Sequence, residues 1–236
     1  MSETSAVTAA PRKGSAVTAA PRKRGRRPKT YDAVLRATTE LLETVPLAEL
    51  SVAQILTAAE VGRTSFYEHF SSKEDVVVKL VRSIAAEVAE GMEPILSRGD
   101  RPVEEAFREG IGNWMRISAR YRPLLVATIE EWPAVPALRR LWFRILDAMT
   151  EQLASIIDAD RAAGLAPPGA PSRALAASLA WGAERSFHIA MTGHHPTLVD
   201  ADALVEPLVQ LYVGTIYGRP IVGPGRTDSD DGGRTS

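Results

Sequence analysis

The sequence contains no cysteine in 236 residues, and aromatic side chains make up only 6% of it. A chain without cysteine forms no disulfide, carries no thiolate nucleophile and has no Cys-type zinc site. No apolar run approaches the roughly 20 residues that a membrane-spanning helix requires, and the basic N-terminus lacks the apolar segment of a secretion signal. These absences favour a cytoplasmic protein that does not enter a membrane.

Motifs of catalysis and cofactor binding are also missing. The sequence has no Gly-x-Ser-x-Gly elbow and no glycine-rich phosphate loop. His194 and His195, with Asp200 nearby, match no known spacing of zinc ligands. His188 follows Glu184 by four residues, and a hydrogen bond along a helix explains this pair better than acid/base catalysis. We therefore expect no catalytic residue, no cofactor and no metal.

The positive charge of the chain is concentrated at its N-terminus. Residues 1–30 have a net charge of +7, which leaves −8 for the remainder of a chain whose total is −1. The segment Ser5–Lys13 is repeated as Ser15–Lys23, and neither copy has the apolar spacing of a helix. We predict that residues 1–29 form a disordered basic arm and that residues 219–236 form a disordered tail rich in glycine, proline and aspartate.

The end of this arm resembles a minor-groove-binding motif. It contains Arg-Gly-Arg-Arg-Pro, the Arg-Gly-Arg-Pro core of an AT-hook with one extra arginine. Arg24, Arg26 and Arg27 are therefore candidates for insertion into a minor groove and for phosphate contacts, as in homeodomain arms. A solubilising tail with non-specific affinity for phosphates explains the same charges, and the sequence leaves both interpretations open.

Residues 51–75 have the pattern of two short helices joined by a tight turn. Ser51 and Gln54 form a capping-box pair that starts the first helix. Gly62 is a suitable N-cap for the second helix, which we predict over residues 63–70. The pattern indicates a helix-turn-helix whose second helix can enter a DNA major groove.

The polar residues of the second helix are candidates for contacts with double-stranded DNA, because Phe66 and Phe70 lie four apart and point inward. N-terminal residues of a recognition helix reach furthest into the groove. We therefore assign to base edges Arg63, Thr64 and Ser65. The phosphate contacts, which set register rather than sequence choice, are assigned to Tyr67, His69 and Lys73. For His69, a structural position among the aromatic residues explains the pattern equally well.

The run Phe66-Tyr67-Glu68-His69-Phe70, followed by Ser72-Lys73-Glu74, resembles the signature of the TetR family of one-component bacterial repressors. The resemblance also implies phosphate contacts for the tyrosine and the lysine. The chain departs from the family pattern at Glu60 and Gly62, where the family usually has Gly and Ser. Glu60 replaces the residue best suited to a left-handed turn, whereas Gly62 loses a hydroxyl cap at little cost.

Two longer helices flank the motif. The first begins at Thr30 or Asp32 and completes a three-helix DNA-binding domain over residues 30–75. The second, which links this domain to the rest of the chain, is predicted over residues 72–93 because Pro94 stops it.

Residues 76–218 are predicted to form a helical domain for effector binding and dimerisation. Prolines stand where its helices begin and glycines where they end. No segment has the alternating pattern of a strand, so we expect an all-α fold with about nine helices. The last five are predicted over residues 102–119, 121–131, 135–163, 172–192 and 201–217.

Three stretches of this domain resemble the EthR branch of the TetR family, namely Ile157-Asp158-Ala159-Asp160-Arg161, Glu184-Arg185 and Thr215-Ile216-Tyr217-Gly218. The resemblance implies a long apolar channel for a small hydrophobic effector, although an aromatic stripe on its own is more often plain core. The candidate pocket residues are Phe107, Ile111, Trp114, Trp142, Ile145, Met149, Ala183 and Tyr212. Ala183 stands where the branch has an asparagine, so the ligand should be more apolar or should meet a different polar group.

The last two helices carry the signs of a dimer interface. Small residues share one face of the first of them, and large apolar residues share one face of the second. The two faces consist of Ala176, Ala180 and Ala183, and of Leu204, Leu208, Leu211 and Tyr212. Closing the core of a single protomer is the alternative role for these faces.

The sequence thus predicts a homodimeric repressor that a small apolar effector releases from an inverted-repeat operator, through a shift of the linking helix. The alternative is an effector-independent architectural protein that binds DNA through its basic arm and uses the helical domain only to dimerise. Removing the arm separates the two, because sequence-specific binding survives only in the first.

Overall fold

The computed structural model describes residues 29–193, 195–198, 200 and 202–218. Over these residues the fold is all-α, as predicted, and no described helix is long and apolar enough to cross a bilayer. A short 3₁₀ turn, Asp202–Leu204, precedes the last helix. The α-helices are α1 (Lys29–Leu41), α2 (Val52–Ala59), α3 (Arg63–Tyr67), α4 (Lys73–Gly91), α5 (Glu93–Leu96), α6 (Val103–Arg120), α7 (Arg122–Glu131), α8 (Pro136–Ala162), α9 (Ser172–Thr192) and α10 (Val205–Tyr217).

Within the described residues, the number of α-helices exceeds the predicted nine by one, the four-residue α5. Pro94 ends the linking helix as expected, but it also lies in the first turn of α5, where its missing N–H is not needed. Most of the predicted arm, including Arg24, Arg26 and Arg27, lies outside the described residues, as does the predicted tail.

The first three helices form a small domain around buried Val34, Ile55, Phe66 and Phe70. The capping box at the start of α2 is present in both directions: the Ser51 N–H donates to Gln54 Oε1 at 2.8 Å, and the Gln54 N–H donates to Ser51 Oγ at 3.2 Å. These bonds satisfy two N–H groups that have no partner within the helix.

The recognition helix α3 is shorter than predicted. It ends at Tyr67 rather than Phe70, with Glu68 as its C-cap. The Phe70 N–H still donates to the Phe66 carbonyl at 2.9 Å, so the chain keeps a helical turn that holds both phenyl rings in the core. Gly62 is the N-cap, as the sequence indicated.

The turn between α2 and α3 places Glu60 in the left-handed region, with φ 53° and ψ 41°. Glu60 is the non-glycine residue with positive φ in the described part of the chain. An L-residue pays roughly 1–2 kcal/mol for this conformation, which glycine adopts freely. The departure from the family pattern at this position therefore carries a cost in the turn itself.

The second domain packs around α4, which contacts α6, α7 and α8 and also touches α1 of the first domain. Helix α8 lies along α9, and α10 lies against α6. Helix α5 is held close to α6 because Gly110 has no side chain: a Cβ there would lie 2.7 Å from the Ile95 side chain.

The small-residue face of α9 is not available to a partner subunit. Ala176, Ala180 and Ala183 are buried within the protomer, where α9 packs on α8. The predicted face of α10 is also internal, apart from Leu211, which is exposed. The assignment of these faces to a dimer interface is therefore wrong: small residues at helical spacing marked a close helix contact, but that contact lies inside one chain.

Candidate DNA-binding surface and effector site

The outer side of α3 presents the side chains that the sequence assigned to DNA bases. Arg63 and Thr64 are exposed and Ser65 is half-buried, whereas Phe66 is buried beneath them. Tyr67 is 46% exposed, an unusual degree for a large aromatic residue. The helix is thus anchored by its apolar side and offers polar and aromatic groups to a groove.

Arg63 and Tyr67 interact with each other on this surface. The guanidinium carbon of Arg63 lies 5.6 Å from the centre of the Tyr67 ring, within cation–π range. The two residues are four apart, so they lie on the same side of the helix. The tyrosine ring therefore orients the arginine at the tip of the recognition helix.

Lys73, the predicted phosphate contact, occupies a different position. Its ammonium group donates to the backbone carbonyls of Leu47 at 2.7 Å, Ala48 at 3.1 Å and Leu50 at 2.7 Å. A lysine has three donors, so all of them are used within the protein. The geometry indicates that Lys73 fixes the connection between α1 and α2 instead of contacting DNA directly.

A second lysine of α4, Lys79, contacts the residues that follow the recognition helix α3. Lys79 donates to the His69 carbonyl and pairs with Asp75 at 3.2 Å. Its ammonium nitrogen also lies 4.5 Å from the centre of the Phe70 ring. The ring of His69 lies edge-on to Tyr31 at 6.1 Å and is half-buried. Both ends of the helix-turn-helix are therefore fastened to α4.

Two internal apolar chambers lie in the second domain. The first, of about 50 Å³, is lined by α5, α6, α8, α9 and α10, and the second, of about 70 Å³, is lined by α4, α6, α7, α8 and α9. Both chambers are bounded by Trp114, Met149 and Ala180. Ordinary ligand pockets measure roughly 300–1,000 Å³, so each chamber as it stands is smaller than an ordinary ligand pocket. The two chambers, which share these three residues, are together called the channel below.

A larger cavity of about 320 Å³, called the entrance cavity or entrance below, lies between α4 and α8 beside the chambers. It shares Met149 with both chambers, and it shares Ala85, Val88 and Ile145 with the second.

Seven of the eight predicted pocket residues line these chambers. The first chamber includes Phe107, Ile111, Trp114, Met149 and Tyr212. The second includes Trp114, Trp142, Ile145 and Met149. Ala183 is completely buried but is not among the lining residues of either chamber, so its place on the list is not supported.

The sequence analysis missed a polar group in the second chamber, Glu184. Its side chain is buried, and its Oε1 accepts a hydrogen bond from Trp142 Nε1 at 3.2 Å. Burial raises the pKa of this carboxyl above its ordinary value, against the opposing effects of Arg185 and of the Trp142 hydrogen bond. The helical spacing could have predicted that Glu184 points inward. Glu184 follows Ala180 by four residues and precedes Phe187 by three, so the three lie on the buried side of α9.

A helix-turn-helix with an exposed recognition helix, joined by one long helix to a helical domain with internal chambers, defines a DNA-binding transcriptional regulator. Residues 34–80 match the family model of bacterial regulatory proteins of the tetR family, and residues 107–218 match the C-terminal domain of the transcriptional regulator EthR. The chain belongs to the TetR family and is EthR-like.

Relatives of known sequence agree with this assignment. The HTH-type transcriptional regulator EthR of Mycobacterium tuberculosis is 29% identical over 187 residues, which cover 79% of this chain and 86% of the relative. EthR of Mycolicibacterium smegmatis is 29% identical over 204 residues, which cover 85% and 94%. These relatives are transcriptional regulators, as predicted, and not enzymes.

Among solved structures, the transcriptional regulator FadR from Bacillus subtilis in complex with stearoyl-CoA has the same fold, with a TM-score of 0.62. Its sequence is 20% identical, and the match covers 80% of this chain and 98% of FadR.

Proposed function

We propose that this chain is a homodimeric repressor that leaves an inverted-repeat operator when an elongated apolar effector occupies the second domain. The path of α4 is the observation that carries the proposal. The first turns of α4 hold the helix-turn-helix through Lys73 and Lys79. Later turns line the second chamber, through Val81, Ile84, Ala85 and Val88. One rigid element thus contacts both sites.

The coupling follows from this arrangement. An effector that enters between α4 and α8 widens the entrance and displaces α4, because the chambers are too small for a ligand. The ammonium contacts of Lys73 and Lys79 then carry α2 and α3 with the first turns of α4. A ligand shifts the equilibrium only by its preference for the displaced arrangement, and a coupling of about 1–3 kcal/mol is typical.

The DNA contacts are divided between bases and phosphates. We assign base edges to Arg63, Thr64 and Ser65, since these residues stand at the exposed start of α3. Tyr67 and His69 are the proposed phosphate contacts, and Lys73 supports them indirectly through the α1–α2 connection. The arginines of the basic arm, Arg24, Arg26 and Arg27, are proposed to add contacts in an adjacent minor groove.

The dimer is proposed to form through the outward faces of α9 and α10. On α9 the exposed residues include Ser178, Trp181 and Gly182, and on α10 they include Leu211 and Thr215. These faces combine small side chains with large apolar ones, which suits a four-helix contact between two subunits. A two-fold axis places two recognition helices on two half-sites, so the operator is an inverted repeat.

The effector class is supported by the lining of the chambers and by a structural relative. The described side chains that line the chambers are mainly aliphatic and aromatic. The Bacillus subtilis FadR that shares the fold was solved with stearoyl-CoA, which has a long acyl chain. An elongated apolar molecule is therefore the effector class that we propose.

A substitution that fills the second chamber tests the mechanism without a known effector. Ala85 is half-buried and lines both the chamber and the entrance, whereas Ala86, the next residue of α4, is exposed. Ala85→Phe should displace α4 and weaken binding to a selected operator by about 5- to 150-fold. Ala86→Phe places the same ring on the exposed side of α4 and should leave the affinity for the operator unchanged.

Fluorescence anisotropy with a labelled operator measures both affinities, and circular dichroism verifies that both variants are folded. A folded Ala85→Phe variant that binds the operator as tightly as the wild-type protein would show that α4 does not connect the chamber to DNA binding.

A further inference from the structure

The second chamber contains a carboxyl oxygen without a hydrogen-bond partner. Glu184 lines the chamber and is only 3% exposed. Its Oε1 accepts from the Trp142 indole, but Oε2 has no partner among the described residues. Leaving a buried polar atom unpaired is unfavourable. This oxygen can therefore form a hydrogen bond with a ligand that enters the chamber.

The surroundings of Glu184 determine which ligand group fits. No lysine or arginine is among the described residues that line either chamber, and Glu184 is the one carboxylic acid among them. Arg82 and Arg144 line the entrance cavity instead. A ligand anion in the second chamber would meet a carboxyl group and no cation, so the chamber is unfavourable for negative charge.

The protonated form of Glu184 carries a hydrogen-bond donor. Burial raises the pKa of its carboxyl, which favours the neutral acid. A neutral carboxyl has one O–H donor. With Oε1 already accepting from Trp142, the O–H belongs on Oε2 and lacks an acceptor.

We propose that Glu184 recognises the uncharged hydrogen-bond acceptor of an elongated apolar ligand, such as a ketone or ester carbonyl, and that the chamber discriminates against carboxylates and amines. The apolar tail lies along Trp114 and Met149 into the first chamber, where Phe107 and Ile111 surround it. This inference rests on the proposed function, because it names the ligand chemistry of the same channel.

A ligand series of matched length tests the proposal. The probes are 2-tridecanone, dodecylamine and dodecanoate, and the readout is quenching of the tryptophans that line the chambers. We expect 2-tridecanone to bind most tightly. Glu184→Leu removes the donor and should weaken its binding about tenfold. Glu184→Gln keeps an N–H donor and should change it by less than about threefold.

Glu151→Gln is the matched control, because Glu151 is exposed and pairs with Arg173 on the surface. It should not alter the binding of any probe. If dodecylamine binds most tightly and Glu184→Gln abolishes its binding, the chamber is a cation site and the proposal is wrong. The proposal also fails if neither Glu184 variant changes the affinity for 2-tridecanone.

Operator release separates this inference from the proposed function. If 2-tridecanone binds and releases the operator equally well in the wild-type protein and in Glu184→Leu, the repressor mechanism holds and the role of Glu184 is refuted. If none of the three probes binds the wild-type protein, the ligand class is refuted. Ala85→Phe then still reports on the repressor mechanism.

Discussion

The Arg98 guanidinium donates two hydrogen bonds to the Asp160 carboxylate, at 3.0 Å to Oδ2 and 2.6 Å to Oδ1, across 62 positions of sequence. Both side chains are nearly buried, with exposures of 10% and 9%. The Tyr217 hydroxyl donates to the same carboxylate. Asp160 and Tyr217 belong to two of the stretches that resemble EthR, so this three-residue cluster accounts for part of that resemblance.

The cluster connects the segment after α5 to α8 and α10. We therefore expect it to contribute strongly to the unfolding free energy of the second domain. Asp160→Asn leaves the Arg98 charge without a counter-charge in a buried site, which should cost about 3 kcal/mol of unfolding free energy. Denaturation by urea measures the loss. The control is Glu151→Gln, which breaks the exposed Arg173–Glu151 pair, with side-chain exposures of 69% and 58%, and should have little effect. Equal losses in the two variants would contradict the expectation.

Lys73 should affect DNA binding through stability and not through phosphate neutralisation. Lys73→Met removes three hydrogen bonds to the connection between α1 and α2, so it should lower the melting temperature and weaken operator binding. The slope of log affinity against log salt should stay the same, because no phosphate contact is lost. A decrease in that slope by about 1 would instead identify Lys73 as a phosphate contact.

Arg63 should determine base preference. Arg63→Ala removes the exposed guanidinium at the start of α3 and should cost about 1–3 kcal/mol of specific binding, with relaxed discrimination at one base pair. Tyr67→Phe is a useful companion, since it removes the hydroxyl but retains the ring beside Arg63. Competition with operator variants measures the preference. An equal loss of specific and non-specific affinity in Arg63→Ala would refute the assignment.

Glu60→Gly should stabilise the helix-turn-helix. Glycine removes the cost of the left-handed conformation at this turn, although it loses more chain entropy on folding, so a net gain of about 0.5–1 kcal/mol is expected. Ala58→Gly is the opposite case, because Ala58 precedes the last residue of α2, and this variant should lose roughly 0.5–1 kcal/mol. Thermal denaturation of the two variants should therefore show shifts of opposite sign.

The raised pKa of Glu184 makes stability depend on pH. The folded protein binds this proton more tightly than the unfolded chain, so the contribution is fully present below the unfolded pKa of about 4.3 and is lost as pH rises through the folded pKa. The facing groups are His188, at 4.0 Å, and Arg185 on the same helix, and Trp142 on α8. Glu184→Gln should therefore gain stability relative to the wild-type protein as the pH rises above the unfolded pKa of about 4.3. A difference independent of pH would contradict this.

The sequence predicted the helices well where local signals mark their ends. At α8 and α9, where proline and glycine mark the ends, the predicted and observed boundaries agree to within one residue. The capping box correctly predicted the start of α2. Helix α5 has four residues, too few to show a periodic pattern. The end of α3 was missed because Phe70 stays buried on a continuing turn after the helix itself has ended.

Tertiary partners were harder to predict than helices. Helical spacing identified the buried faces of α9 and α10, but spacing does not show whether the covering surface belongs to the same chain. The charge of Lys73 was evident from the sequence, but the three carbonyls that accept its hydrogen bonds lie 23 to 26 positions earlier. Glu184 was interpreted as the partner of His188 because the Trp142 contact, 42 positions away, is visible only in three dimensions.

The partition of the channel by Trp114, Met149 and Ala180 has a kinetic consequence. Neither chamber as it stands holds an elongated ligand, so the proposed effector binds only after these side chains and α4 rearrange. This rearrangement is unimolecular, so its rate constant does not depend on the ligand concentration. Association monitored by stopped flow should therefore reach a plateau at high ligand concentration, and the cell's response to a sudden dose would be paced by the protein.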